Sequence, residues 1–171
     1  MPRTTTVLKR GWQFRNGNDS SPPWRETQGF PTEIHLDLMH HGLIEDPFTA
    51  KNEQEVEWVG EDSWIYQTIF ETPSLDKKEK AFLDFAGLDT YATVSLNGKE
   101  LFKTCNMFLP RRVEVGEVLY SSDINVLEIL FESAWKKGKK ILEEHPEHVW
   151  AFSNGHPSRL AVRKAQYHYV L

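Results

Sequence analysis

Apolar and polar positions alternate with a period of two along much of this chain. In "SWIYQTIFET", Trp64, Tyr66, Thr68 and Phe70 fall on one side and Ile65, Gln67, Ile69 and Glu71 on the other. The segment is dense in aromatic and β-branched side chains, which suit a pleated surface, so the spacing predicts a strand. "KAFLDFAGL" sets Leu83 and Phe85 against Phe82 and Asp84, and "TYATVSLNGKEL" alternates Ala92, Val94 and Leu96 with Thr93 and Ser95. The latter runs into Asn97-Gly98, a dipeptide that tolerates positive φ at both central positions of a tight turn and so predicts a hairpin. "NVLEILFES" places Leu127, Ile129 and Phe131 opposite Glu128 and Glu132, as a half-buried strand requires. The same rule reads "TEIHLDLM" as a strand with Ile34, Leu36 and Leu38 on one face, and "EVEWV" as a shorter one carrying Val56 and Trp58.

At least six strands are thus separated by turn-rich connections that hold most of the nine prolines and ten glycines. Many short strands with little helix imply two stacked antiparallel sheets, an all-β sandwich or jelly roll. A length of 171 residues suits one such domain and is too short for two substantial cores. One stretch departs from the pattern. "SAWKKGKKILEEHPEH" has Trp135, Ile141 and Leu142 as its apolar points, and reads as an irregular excursion or a short helix ended by Pro146. Its lysines Lys136, Lys137, Lys139 and Lys140 are followed by Glu143 and Glu144, the mark of a solvated segment and not of a binding patch.

Charge and cysteine content narrow the function classes. Twenty basic against 25 acidic residues give a formal charge of −5, so no chain-wide positive field would draw a nucleic acid backbone. Cys105 is the only cysteine, which rules out an intrachain disulfide scaffold. The opening "MPRTTTVLKRGWQF" lacks the apolar run of about 7–15 residues of a signal peptide, and no window reaches the roughly 20 apolar residues that cross a bilayer. A cytoplasmic protein with no membrane or nucleic acid partner is the expectation. Asn18-Asp19-Ser20 matches the glycosylation triplet but carries little weight without an export signal.

Candidate chemistry is sparse. Of the seven histidines, His40 and His41 are adjacent and on a strand would face opposite ways, with no cysteine or carboxylate beside them at a ligand spacing, so no metal site is expected. Cys105 as a nucleophile would need a base that the sequence does not place. No glycine-rich phosphate loop is present, since "NGK" sits at a hairpin tip, and no cofactor is expected. With 25 acidic residues, no carboxylate pair for glycoside hydrolysis stands out. Trp12, Trp58 and Trp64 lie in apolar or strand-like contexts that favour core packing over stacking on a sugar. The densest group of hydrogen-bonding and stacking side chains is near the end: Arg163, Lys164, Gln166, Tyr167, His168 and Tyr169.

Five segments in order, "FPTEIHLDLMHHGLIEDPF", "KNEQEVEWVGEDSWIYQTIFE", "FAGLDTYATVSLNGKEL", "NMF" and "SRLAVRKAQYHY", resemble the N-terminal sugar-binding domain of β-mannosidases in glycoside hydrolase family two, especially the fungal intracellular type. The resemblance covers roughly residues 10 to 169. It implies a galactose-binding-like jelly roll for residues 1–171. It also implies a longer parent in which an immunoglobulin-like domain and a (β/α)8 barrel follow, the barrel bearing the two catalytic glutamates of a retaining mechanism. The parent would hydrolyse terminal β-mannosyl residues of mannosides or manno-oligosaccharides, and this domain would pack against the barrel.

In that family the run resembling "VRKAQYHY" leads into a Gly-Trp-Asp-Trp-Gly-Pro segment that helps hold the terminal mannose. Here Val170 and Leu171 stand in its place, and the expectation is a chain cut short, for instance at an unspliced intron. Arg163, Lys164, Gln166 and Tyr167 are then the residues that support the missing sugar contact, unless they form only a last strand. Catalytic residues are not expected within these 171 positions. Two other readings stay open: a free-standing lectin-like module, and a remnant or pure interaction domain.

Overall fold

The computed structural model describes residues 4–20, 22–72, 79–120, 124–147 and 157–164, with the side chains of Pro157 and Arg159 left aside. Four of the six period-two segments form strands where the alternation places them. β1 (Gln13–Asn16) and β2 (Arg25–Glu26) are followed, after three short helices, by β3 (Trp64–Glu71). Then come β4 (Phe82–Phe85), β5 (Tyr91–Leu96), β6 (Lys99–Cys105), β7 (Arg111–Glu114) and β8 (Ile124–Glu132). Six of them make one sheet in the order β2-β1-β3-β8-β5-β6, and β4 pairs with β7 in a second. Every strand pairing is antiparallel.

The long central strands follow the predicted faces. Trp64, Tyr66 and Thr68 of β3, Ala92, Val94 and Leu96 of β5, and Leu127 and Ile129 of β8 are buried. In register, Tyr66 stands beside Ile129 and Thr68 beside Leu127, while Val94 faces Ile129 from the other side. The β5–β6 hairpin turns at Asn97 and Gly98, whose φ values of 53° and 77° are both positive, as a two-residue turn of this hand requires. Asn97 also locks the turn to β8. Its Oδ1 accepts from Val126 N at 2.9 Å, and its Nδ2 donates to Asn125 Oδ1 at 2.9 Å.

The second layer is half sheet and half helix. Leu83, Phe85 and Val113 of the β4–β7 pair pack onto Ala92, Val94, Leu96, Leu127 and Ile129, which makes that half a two-sheet sandwich. Over β1 and β3 the cover comes instead from Leu38, Val56 and Val59, which close on Phe14, Trp64 and Tyr66. Trp12 and Phe131 touch both clusters and join them.

That helical half departs from the strand pattern. "TEIHLDLM" forms α1 (Ile34–His40), begun by Glu33, whose carboxylate caps the helix by accepting from Leu36 N and His35 N. Ile34 and Leu38 share a face at i,i+4 just as they would at period two, but the helix turns Leu36 outward to 41 % exposure and brings Asp37 fully inside. His40 and His41 close this helix with their rings 5.2 Å apart instead of pointing to opposite sides of a strand. "EVEWV" likewise is no strand. It joins α2 (Asn52–Glu55) to α3 (Glu57–Glu61), burying Val56 and Val59 at i,i+3 and leaving Trp58 at the rim, against Trp64. Trp64 is a core residue as expected, Trp12 is partly buried in the core and Trp58 lies at its edge.

The lysine-rich stretch is α4 (Ala134–Glu144), capped by Ser133 Oγ, which accepts from Lys136 N at 3.1 Å and donates to Gly60 O at 2.7 Å. Lys136, Lys139 and Lys140 are exposed, and Lys137 pairs with Glu132 at 2.8 Å, so the solvated reading of this cluster holds. Helix α4 packs on the 3-10 turn Pro157–Ala161, which leads to Arg163 and Lys164.

Candidate functional site

Three segments far apart in sequence meet at one end of the sandwich: the β4–β5 connection, the turn after β6, and residues 163–164. Asn106 makes a parallel bridge to Arg163, and Met107 N donates to Arg163 O at 3.1 Å. The backbone at Gly87 lies so close beneath that turn that a Cβ there would stand 2.5 Å from Met107 O. Asn106 Oδ1 accepts from Phe108 N at 3.0 Å, which folds the turn and lifts the Phe108 ring to 63 % exposure. Lys164 Nζ reaches Asp89 Oδ2 at 3.3 Å, with both groups half-buried. The other carboxylate oxygen of Asp89 accepts from Thr90 Oγ1.

The strand that enters this end begins with Tyr91. Burial pushes its hydroxyl pKa up, Cys105 adds to the shift, and the positive charges of Lys137 and Arg163 pull the other way. The end therefore presents amide, carboxylate and cationic groups beside an exposed aromatic ring, a mixture that suits a polyhydroxylated ligand, in which hydroxyls take the polar groups and C–H faces take the ring. Among the described residues no group of three His, Cys, Asp or Glu is placed to hold a metal ion, and no helix is long and apolar enough to cross a membrane.

Of the four residues marked by the sequence, Arg163 and Lys164 are at this end. Arg163 is exposed and held through its backbone, whereas Lys164 is tied by its side chain. Gln166 and Tyr167 lie outside the described residues. Asp89 and the Asn106 turn were not singled out as site residues. "NMF" was a visible motif, but nothing in its spacing says that it meets position 163.

A groove of about 2190 Å³ opens from the same end. Its floor is the inner face of the large sheet at Phe70, Leu127, Ile129 and Phe131. One wall is α1 with Leu36 and Met39, and the other is β4 along its whole length. Lys164 and Asp89 stand among its lining residues. On the α1 wall, burial works against the charge of Glu33, but the His35 ring and the N–H groups it caps outweigh this and hold its pKa below the usual carboxylate value.

Comparisons with known proteins agree with this architecture. The profile of the family described as glycosyl hydrolase 2 galactose-binding domain-like matches residues 12–170. The β-mannosidase B of Thermothelomyces thermophilus is 49% identical over 168 residues, 98% of this chain and 20% of that protein. Among solved structures, a β-D-mannosidase from Dictyoglomus thermophilum superposes with a TM-score of 0.74 at 33% identity, covering 94% of this chain and 19% of that one. An exo-chitosanase from Amycolatopsis orientalis, at 15% identity, shares the fold with a TM-score of 0.60 over 77% of this chain and 17% of its own. The chain spans about a fifth of the length of the relatives it matches. With a sandwich of this topology and a match across nearly all of its length, the chain belongs to the glycosyl hydrolase 2 galactose-binding domain-like family.

Proposed function

We propose that this chain is the sugar-binding front module of a β-mannosidase, a retaining glycosidase that removes terminal β-mannosyl residues from mannosides, and that it does not catalyse the reaction by itself. The observation that carries this reading is the 49% identity to a β-mannosidase B over 98% of this chain but only 20% of the relative. The remaining four-fifths is where the barrel and its two catalytic carboxylates belong, and this module packs against it. The Asp89–Lys164 pair, the Asn106 turn and the Phe108 ring form the end that faces the sugar site. In that setting Arg163, Lys164, Gln166 and Tyr167 support a sugar-contacting segment. The jelly-roll connectivity of sugar-binding domains and a cytoplasmic location, which suits a chain with one cysteine, belong to the same reading.

Purified chain is tested for hydrolysis of a chromogenic β-mannoside and titrated with mannose and mannobiose. The reading expects no turnover from the chain alone and β-mannosidase activity when it replaces the matched fifth of the Thermothelomyces enzyme. Turnover by the chain alone refutes the non-catalytic assignment. Micromolar binding of mannobiose by the chain alone, with an inactive hybrid, would favour a stand-alone carbohydrate-binding module instead.

A further inference from the structure

We infer that Asp89 is a positioning residue for the sugar-contacting segment, acting through Lys164 to fix the direction in which the chain leaves position 164. The inference rests on the reading above, in which Arg163 and Lys164 lead into that segment. The bridge between Asn106 and Arg163 stands outside the strands, and the bond from Met107 N to Arg163 O at 3.1 Å fixes the chain at that point. An isolated bridge of this kind lets the chain beyond it pivot. A second anchor, one residue later and from a different loop, opposes that rotation. Lys164 Nζ, at 3.3 Å from Asp89 Oδ2, supplies it.

Asp89 can serve as an anchor because it is itself held. Its other carboxylate oxygen accepts from Thr90 Oγ1, and Thr90 is buried immediately before Tyr91, which pairs with Cys105 on one side and Glu132 on the other. Gly87, two residues earlier, lies against Met107 O too closely for a Cβ to fit, so the loop that carries Asp89 and the turn that holds Arg163 form one frame. The side chains of Lys164 and Asp89 are 27% and 32% exposed, against 65% and 53% for the surface pair Lys103–Glu100, so water screens this pair less. Its value lies in direction more than in stability. A misplacement of about 1 Å in a group that holds substrate can cost on the order of a hundredfold in rate, and such groups depend on neighbours that lock their supports.

Steady-state kinetics on a chromogenic β-mannoside test this in the hybrid where this chain replaces the matched fifth of the Thermothelomyces thermophilus β-mannosidase B. Asp89→Asn keeps an acceptor for Thr90 Oγ1 but turns an amide toward Lys164. It should raise KM about fivefold or more, with the urea midpoint within about 0.3 M of the parent hybrid. Loss of folded enzyme lowers the apparent kcat and leaves KM alone, so KM separates positioning from a structural role. Lys164→Met should match Asp89→Asn, and the double variant should stay within about twofold of either. Lys164→Arg keeps the charge and should hold KM within about twofold of the parent. In the chain alone, amide exchange at Met107 should quicken about tenfold or more in Asp89→Asn while the β3–β8 centre keeps its protection.

An unchanged KM in Asp89→Asn overturns the inference, even where Lys164→Met raises it, since Lys164 is then held without Asp89. Unfolding, or a lowered midpoint at unchanged KM, in both single variants makes the pair structural and also overturns it. Losses that multiply in the double variant do the same, because Asp89 then acts without Lys164. A parent hybrid without turnover counts against the functional reading. Met107 exchange in the chain alone then decides whether Asp89 anchors the exit: a quickened rate supports the anchor and an unchanged one overturns it.

Discussion

Removing the Asp37 carboxylate should be among the most damaging single changes to this domain. Asp37 is fully buried on α1, and its two oxygens satisfy three donors from three parts of the chain. Oδ1 accepts from Gln28 N at 2.8 Å and from Thr32 Oγ1 at 2.7 Å, and Oδ2 accepts from Tyr66 Oη at 2.9 Å. Asp37→Ala leaves those donors facing a cavity. Each buried donor without an acceptor costs about 1–3 kcal/mol, although Gln28 and Thr32 lie nearer the surface and recover part of this from water. A loss of about 3–5 kcal/mol follows, a large share of the roughly 5–15 kcal/mol by which a domain of this size is stable.

Asp37→Asn should cost less, about 1–2 kcal/mol. The amide oxygen keeps Gln28 and Thr32, and the amide N–H₂ can donate to a Tyr66 hydroxyl that turns to accept. Urea unfolding followed by tryptophan fluorescence measures both, since Trp64 belongs to the cluster that α1 covers. At a slope of about 2 kcal/mol per molar, the alanine variant should move the midpoint down by about 2 M. The double variant Asp37→Ala/Tyr66→Phe should show a coupling of at least ~1 kcal/mol, because the orphaned hydroxyl is then gone. An alanine variant within ~1 kcal/mol of the parent, or an asparagine variant as unstable as the alanine one, would refute this account of how α1 is held.

Three further outcomes are expected. Burial and the neighbouring Asp37 charge push the Tyr66 pKa well above its ordinary value, so the folded state keeps a proton that the unfolded chain releases above about pH 10. Stability should therefore be unaffected by this group below pH 10 and fall by about 1.4 kcal/mol per pH unit beyond it, a contribution that Tyr66→Phe removes from the pH-dependent slope. Gly138→Ala places a Cβ well inside contact distance of the Ser158 carbonyl, so α4 and the Pro157–Ala161 turn should separate, at a cost of about 1–3 kcal/mol measured by urea unfolding and faster proteolysis near residue 158. Gly87→Ala drives a Cβ against Met107 O, and amide exchange should quicken at Met107 and Leu109 while the β3–β8 centre of the sheet keeps its protection.

The sequence alone determined the strands whose alternation runs long enough to exclude other readings. Over the eight residues of β3 and the nine of β8, a period of two cannot be mistaken for a helical stripe, and Asn97-Gly98 names its own turn because few other residues tolerate positive φ at both positions. Over the seven residues of α1 the two periods share Ile34 and Leu38, so the pattern does not choose between them. Tertiary structure does. A helix capped by Glu33 brings Asp37 to Gln28, Thr32 and Tyr66, whereas the strand reading set Asp37 opposite the apolar face formed by Ile34, Leu36 and Leu38. The site divides in the same way. Arg163 and Lys164 were legible as a concentration of polar chemistry, but that Lys164 meets Asp89 and position 163 meets Asn106 depends on chain crossings of more than fifty residues, which no local pattern records.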